Sequence, residues 1–193
     1  MAKSRRIMVA LSGASGMVYA RRLLEALPQT YETIYVVASD NARDIMHDEL
    51  GIPCVSAVLP ECQESKFLEF SITDLSAPPA SGSHDYDGLV VIPCSMGVVG
   101  RIAAGVSTDL VTRAADVCLK ERRKLVLVIR ETPLNLVHLR NLTTLGEAGA
   151  VILPAAPAFY GRPESIEDLV DFIVDRVLRA LGTEIRLTKG WGE

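Results

Sequence analysis

Residues 7–16 read IMVALSGASG, five apolar residues followed by a turn of small and polar ones. The apolar run predicts a short buried strand over residues 7–11, and Leu23, Leu24 and Leu27 then recur on one side of a predicted helix. A strand that passes through a short turn into a helix is the repeating unit of α/β proteins. This stretch therefore predicts an α/β fold.

The same alternation continues along the chain. Further strands are predicted over residues 33–38, 88–92, 124–129 and 151–153, and helices over residues 42–50, 98–104, 109–119, 136–148 and 165–181. These strands are apolar throughout, which is typical of a parallel sheet covered by helices on both faces. We predict a single-domain, doubly wound, Rossmann-like α/β fold over residues 1–182 and a tail at 183–193. Residues 54–87 are predicted to hold one short strand and a long loop.

Composition agrees with one globular domain, since 193 residues compare with about 150 per domain. The net charge of −4 comes from 20 basic and 24 acidic side chains. This balance argues against a general nucleic-acid or membrane-surface binder, which usually needs a basic face. Aromatic residues make up 5% of the chain, so stacking platforms for single strands are few.

The four cysteines are Cys54, Cys62, Cys94 and Cys118. They contain no CxxC pair and no histidine at zinc-ligand spacing, so no metal site is expected. Scattered cysteines fit a reducing cytosol. The apolar run near the N-terminus is too short for a signal peptide or a membrane span, and we expect a cytoplasmic protein.

Residues suited to chemistry follow the predicted strands. They are Gly13, Ala14, Ser15 and Gly16 after the first strand, Ser39 after the second, residues 93–97 after the third, Arg130 and Glu131 after the fourth, and Phe159, Tyr160 and Arg162 after the fifth. Because ligands of such folds bind beyond the carboxyl ends of the strands, these residues predict a binding cleft.

Residues 13–16 allow close approach of a ligand, and a following helix N-terminus favours an anion such as phosphate. The stretch is neither a dinucleotide fingerprint nor a Walker loop, and it fits a turn that binds nothing equally well. Arg130 and Glu131 end a buried strand, where charges without partners are costly, so partners are expected for both. Arg113 and Lys120 are predicted to share one helix face, which fits a solvated surface as well as a site.

Seven motifs together resemble the UbiX-type flavin prenyltransferases. They are GASG at 13–16, PPASGS at 78–83, PCSM at 93–96, TRAADV at 112–117, LKERR at 119–123, RETPL at 130–134 and GAVILPAAPAFY at 149–160. The likeness runs from about residue 6 to residue 181, and GWGE at 190–193 also fits.

The resemblance implies an enzyme that joins a dimethylallyl group from dimethylallyl monophosphate to N5 and C6 of reduced FMN, without a metal. Its product, prenylated FMN, would serve a UbiD-type decarboxylase such as the one in ubiquinone synthesis. The resemblance also implies a homo-oligomer, a dodecamer, with active sites at subunit interfaces.

The resemblance further implies roles for particular residues. FMN would be held by Gly13, Ala14, Ser15, Ser39, Ser95, Met96, Gly97, Val98 and Arg130. The prenyl phosphate would be bound by Tyr160 and Arg176, with Lys120 and Arg130 nearby. The catalytic residues would be Ser15, Glu49, Lys120 and Glu131.

Two departures from the family pattern stand out. Leu75 lies near a position where some relatives carry an aromatic side chain, and GVVGR at 97–101 replaces the commoner run after PCSM. Two other functions stay open. One is an FMN-dependent decarboxylase of the cysteine type, and the other is an accessory subunit that carries FMN without catalysis.

Overall fold

The computed structural model describes residues 4–58 and 63–190. Its strands are β1 (Arg6–Leu11), β2 (Thr33–Ala38), β3 (Phe67–Glu69), β4 (Gly88–Cys94), β5 (Lys124–Ile129) and β6 (Val151–Pro154). All pair in parallel, in one six-stranded sheet of order β3-β2-β1-β4-β5-β6. The predicted doubly wound α/β fold is confirmed.

Six α-helices connect these strands. They are α1 (Met17–Ala26), α2 (Asp40–Leu50), α3 (Met96–Ala103), α4 (Leu110–Lys120), α5 (Leu136–Glu147) and α6 (Ile166–Ala180). Helices α1, α2 and α6 contribute to the core on one sheet face, and α3, α4 and α5 to the core on the other. Because successive strand residues point to opposite faces, both faces of the central strands need apolar side chains. This explains the uninterrupted apolar runs.

The irregular stretch between α2 and β4 contains β3, the short strand that the sequence predicts there. The prediction for residues 54–87 also covers residues 59–62, which lie outside the described residues, as do Cys62 and residues 191–193 of the tail. The strand predicted over residues 88–92 continues to Cys94, because Pro93 stays extended and its carbonyl accepts a hydrogen bond from the neighbouring strand end. Among the helices formed by the described residues, none has the length and apolar character that crossing a membrane requires.

The described part of the predicted tail packs on the domain. Asp175 in α6 is 1% exposed. Its carboxylate accepts one hydrogen bond from Arg179 Nε at 2.6 Å and another from the Leu187 backbone N–H at 2.9 Å. Ile185 and Leu187 pack against the core cluster that contains α6. Burial alone would raise the pKa of Asp175, but these hydrogen bonds and the Arg179 charge hold that pKa below its usual value.

We expect Asp175→Asn to lower the free energy of unfolding at neutral pH by about 2–3 kcal/mol, because it removes a buried charge and leaves its donors poorly matched. The depressed pKa makes this carboxylate stabilising above its unfolded-state value and progressively less so as the pH falls below about 4. Urea titrations at several pH values should therefore show the two proteins converging in acid. Asp48→Asn, at a side chain that is 82% exposed, is the control and should match the wild type.

Candidate functional site

A cavity of about 390 Å³ opens at the carboxyl ends of the central strands, where the strand order reverses between β1 and β4. This is the place where open α/β sheets bind ligands. Its lining is Leu11, Ser12, Gly13, Ser39, Asp40, Asn41, Ile72, Ser95, Gly97, Val98, Arg101 and Val111. The predicted cleft therefore exists, and it combines apolar walls with hydroxyl, amide and guanidinium groups.

Ser12 joins the ends of β1 and β4 beneath this cavity. Its hydroxyl donates to the Pro93 carbonyl at 2.8 Å and accepts from the Ser95 N–H at 2.9 Å, and the side chain is almost fully buried. Because both partners belong to the turn after β4, Ser12 fixes where Ser95 and α3 begin. Ser12 was not among the predicted site residues, although a hydroxyl directly after a buried strand was a usable signal.

Glu49 occupies the N-terminus of α1. Its carboxylate accepts from the N–H groups of Gly16 at 2.9 Å and Met17 at 2.8 Å. Gly16 is in the left-handed region, with φ of 108°, which a glycine adopts without the strain that a side chain would bring. The sequence predicted an anion at this helix end, and in this structure the anion is a side chain of α2.

The turn into α2 forms the opposite wall of the cavity. The Ser39 hydroxyl caps α2 by accepting from the Ala42 N–H at 3.2 Å. A Cβ at Gly13 would lie 2.8 Å from Cβ of Asn41, so only glycine allows the first turn and α2 to approach this closely. This close approach places the Ser39 hydroxyl and the Asn41 amide in the cavity wall.

Of the residues predicted to hold FMN, five line the cavity: Gly13, Ser39, Ser95, Gly97 and Val98. The side chains of Ala14 and Met96 are buried, at 5% and 7% exposure, which leaves their backbone atoms as the groups able to meet a ligand. Asn41, Ile72, Arg101 and Val111 also line the cavity and were not among the predicted site residues. Ile72 comes from the stretch without clear periodicity and gave no signal.

Arg130 and Ser15 contact each other outside the cavity lining, in the turn that continues from Gly13, and we call this contact the rim. Arg130 Nε donates to the Ser15 carbonyl at 3.3 Å, which links the turn after β5 to the turn after β1. Both Arg130 and Glu131 are exposed, and the Glu131 carboxylate accepts a hydrogen bond from the Thr132 N–H at 3.2 Å. Both residues therefore have the partners that were expected, but burial does not impose them, because burial ends at Ile129 and both side chains are exposed.

Tyr160 and Arg176 are brought together, as the resemblance implied. Arg176 Nη2 donates to the Tyr160 hydroxyl at 3.4 Å, and Phe172 packs against both side chains. A second cavity, of about 440 Å³, is lined by Tyr160, Phe172 and the described tail residues 187–189, among others.

Lys120 lies at the other edge of the sheet. It ends α4 just before β5 begins, whereas Arg130 follows the end of β5. The six residues of β5 span about 20 Å at roughly 3.3 Å per residue. Lys120 is ion-paired with Glu121, and a Cβ at Gly82 would lie 2.6 Å from its Nζ. Arg113, on the same helix, donates to the Ala80 carbonyl at 3.0 Å, so the predicted pair shares a face toward the 80–83 loop. Within one chain, Lys120 is not beside Arg130.

The donor set fits a flavin phosphate ester. Apolar walls suit a planar ring system, while hydroxyl, amide and guanidinium groups suit a sugar chain and its phosphate, and the cavity volume is in the range of small-molecule sites. Across residues 4–58 and 63–190, no three metal-ligating side chains cluster. Burial raises the pKa of the Cys94 thiol, which keeps it protonated and argues against a nucleophilic role.

Comparison with known proteins identifies close relatives. The family model described as Flavoprotein matches residues 1–178. A flavin prenyltransferase UbiX from Pseudomonas aeruginosa is 43% identical over 202 aligned positions, covering 100% of this chain and 97% of the relative.

Two solved structures agree over nearly the whole length. The structure of AnUbiX (PadA1) in complex with FMN and dimethylallyl pyrophosphate has a TM-score of 0.88 and 39% identity, covering 99% of both chains. A dodecameric FMN-dependent UbiX-like decarboxylase from Escherichia coli O157:H7 has a TM-score of 0.89 and 37% identity, covering 97% of this chain and 100% of that one.

We expect Glu49→Ala to lower the free energy of unfolding by about 1 kcal/mol, because two N–H groups at the start of α1 lose their acceptor. Glu49→Gln keeps an acceptor oxygen and should cost less. Urea unfolding measures both, with the exposed Glu147→Ala as control. Equal stability of all three variants and the wild type would show that the Glu49 contact contributes nothing to folding.

Proposed function

The chain belongs to the UbiX flavin prenyltransferases of the flavoprotein family, and we propose that its cavity holds FMN for prenyl transfer at the rim formed by Ser15 and Arg130. The enzyme joins a dimethylallyl group to N5 and C6 of reduced FMN, with dimethylallyl monophosphate as the proposed donor. The observation that carries the placement is the Arg130–Ser15 contact, in which Arg130 Nε donates to the Ser15 backbone carbonyl at 3.3 Å and joins the turn after β5 to the turn after β1.

We assign flavin binding to two groups of residues. Gly13, Ser39, Ser95, Gly97 and Val98 line the cavity and would contact the flavin directly. Ala14 and Met96 would act through their backbones, and Ser15 and Arg130 would close the site at the rim. Reduced FMN supplies the nucleophilic N5 and C6 positions, and it requires no metal.

Departure of the allylic phosphate breaks a C–O bond and leaves both electrons on the phosphate oxygen, so cations must stabilise the developing charge. Arg130 and Arg176 offer guanidinium groups suited to bidentate phosphate binding, and Tyr160 adds a hydroxyl held beside Arg176. Because Lys120 lies at the opposite edge of its own sheet, we propose that a neighbouring copy supplies it to each site.

Proton transfer is assigned to Ser15 and Glu131. Alkylation at N5 releases one proton, and ring closure releases the C6 proton. Ser15 is exposed next to the cavity, and the Glu131 carboxylate is held by the Thr132 N–H, so both can face a substrate at the rim. Glu49 is assigned an indirect role in catalysis. Its carboxylate accepts hydrogen bonds from Gly16 and Met17 and so holds the turn that carries Ser15.

We propose a homo-oligomer, with a dodecamer as in the E. coli relative. Helix α5 leaves Leu136, Val137 and Leu139 at 59%, 62% and 47% exposure, and Val151 of the edge strand is 40% exposed. Apolar side chains grouped in this way are typical of a surface that another chain covers.

The product is proposed to pass to a UbiD-type decarboxylase in the cytoplasm, including the one in ubiquinone synthesis. The described cysteines Cys54, Cys94 and Cys118 are free thiols, which supports a reducing compartment. The alternatives from the sequence, a cysteine-type decarboxylase or an accessory FMN carrier, have less support, because the chain matches flavin prenyltransferases over its full length.

The reaction can be tested directly. Purified protein incubated anaerobically with FMN, reductant and dimethylallyl monophosphate should yield a flavin heavier by one five-carbon unit in mass spectrometry. A parallel incubation with the pyrophosphate establishes donor preference. An unchanged flavin mass with both donors would reject prenyl transfer, and FMN binding without product would favour the accessory carrier.

Lys120→Ala and Arg130→Ala should each lower turnover by at least tenfold, because each removes a cation from the leaving phosphate. When the two variants are co-expressed and purified as mixed oligomers, activity should partly return, since some sites then combine an intact Lys120 from one copy with an intact Arg130 from another. A mixture no more active than either variant alone would place both residues in one chain's site.

A further inference from the structure

Arg101 is the single cationic residue among the described residues that line the 390 Å³ cavity. The family resemblance assigned Arg101 no role. The residue lies in α3, six residues after the N-cap Ser95. The cavity that is proposed to hold a phosphate ester therefore contains one guanidinium among its described lining residues.

Two nitrogen atoms of the Arg101 guanidinium have partners within the protein, and the third has donors left for a ligand. Arg101 Nη1 is ion-paired with the carboxylate of Asp109, and Nε donates to the Gly97 carbonyl at 3.4 Å. A guanidinium carries five N–H donors in a fixed plane. Within the described parts of the chain, Nη2 has no hydrogen-bond acceptor, so its donors are available to a ligand.

Asp109 is itself fixed. It is the N-cap of α4, where its carboxylate accepts a hydrogen bond from the Thr112 N–H at 2.8 Å in a capping box. The side chain of Asp109 is 13% exposed, compared with 41% for Arg101. The better-buried partner therefore anchors the more exposed one and reduces the entropy that Arg101 would lose on binding an anion.

The other wall offers uncharged donors. The first backbone N–H groups of a helix have no intrahelical acceptor, and residues Asp40 and Asn41 at the start of α2 line the same cavity. The Ser39 hydroxyl lies beside them. A carboxylate at Asp40 adds negative charge to this wall, which makes a cation more necessary for any anion bound in the cavity.

We infer that Arg101 binds the phosphate of FMN and thereby makes this chain select FMN over riboflavin, with Asp109 as its positioning residue. The inference rests on the proposed function, since it assumes that the cavity receives the flavin. A charge-assisted hydrogen bond from a guanidinium to a phosphate oxygen is among the strong ones in proteins. Riboflavin lacks the phosphate and gains nothing from Arg101.

The test measures oxidised FMN and riboflavin binding to the full chain by quenching of flavin fluorescence. Arg101→Ala should weaken FMN binding by about tenfold or more while changing riboflavin affinity less than about twofold. Arg101→Lys keeps a point charge without the fork and should fall between the wild type and Arg101→Ala. The matched control is Arg43→Ala, whose guanidinium is paired with Glu69 at 2.7 Å at a similar exposure of 36% but does not line the cavity.

Thermal unfolding of each variant separates binding from folding. If Arg101→Ala weakens both flavins equally, Arg101 only holds Asp109 and Gly97 in place, and the inference is wrong. Unchanged FMN affinity would overturn it as well. Either result leaves prenyl transfer intact, because product formation by the wild type is measured independently, whereas a wild type that binds neither flavin would reject the proposed function itself.

Discussion

The Ser12 hydroxyl is the contact on which the site depends. It joins β1 to the turn after β4 through Pro93 and Ser95, at the point where the strand order reverses. Connections on either side of that point lead to opposite halves of the sheet, so the chain leaves a gap there that no helix fills. A buried hydroxyl with both its donor and acceptor functions satisfied holds the two halves in one fixed relation. These hydrogen bonds therefore fix the distance between two walls of the cavity, the first turn and α3.

Charge is distributed around this frame in separate groups. Glu49 accepts hydrogen bonds from the first backbone N–H groups of α1. Arg101 of the cavity wall is ion-paired with Asp109, and Arg130 donates to the Ser15 carbonyl at the rim. Tyr160, in the loop before α6, and Arg176 of α6 form another group, while Lys120 lies at the opposite end of β5 from Arg130. A leaving phosphate needs several of these cations at once, and one copy of the chain does not bring all of them together. The proposed catalysis therefore depends on the proposed assembly, for which α5 has exposed apolar side chains.

The helices and strands were largely predictable because their signals are local. Apolar runs bounded by turn residues predicted each principal strand, and Ser165, where the last helix was predicted to begin, is the N-cap of α6 in a capping box with Asp168. The carboxyl-edge location of the cavity also followed, since strand ends in a parallel sheet share one edge. Ile72 was not predictable as a wall residue, because it comes from a stretch without periodicity and reaches the site through the contact of its carbonyl with Leu110.

The sequence by itself determined the fold class, the family and the turns that carry the site, because these depend on periodicity and on motifs read along the chain. Only the tertiary structure decided which charges meet. The Glu49 carboxylate lies at the N-terminus of α1, Arg101 lines the cavity, and Lys120 lies at the opposite end of β5 from Arg130. These placements are fixed by strand order and helix packing, for which the spacing of residues along the chain carries no signal.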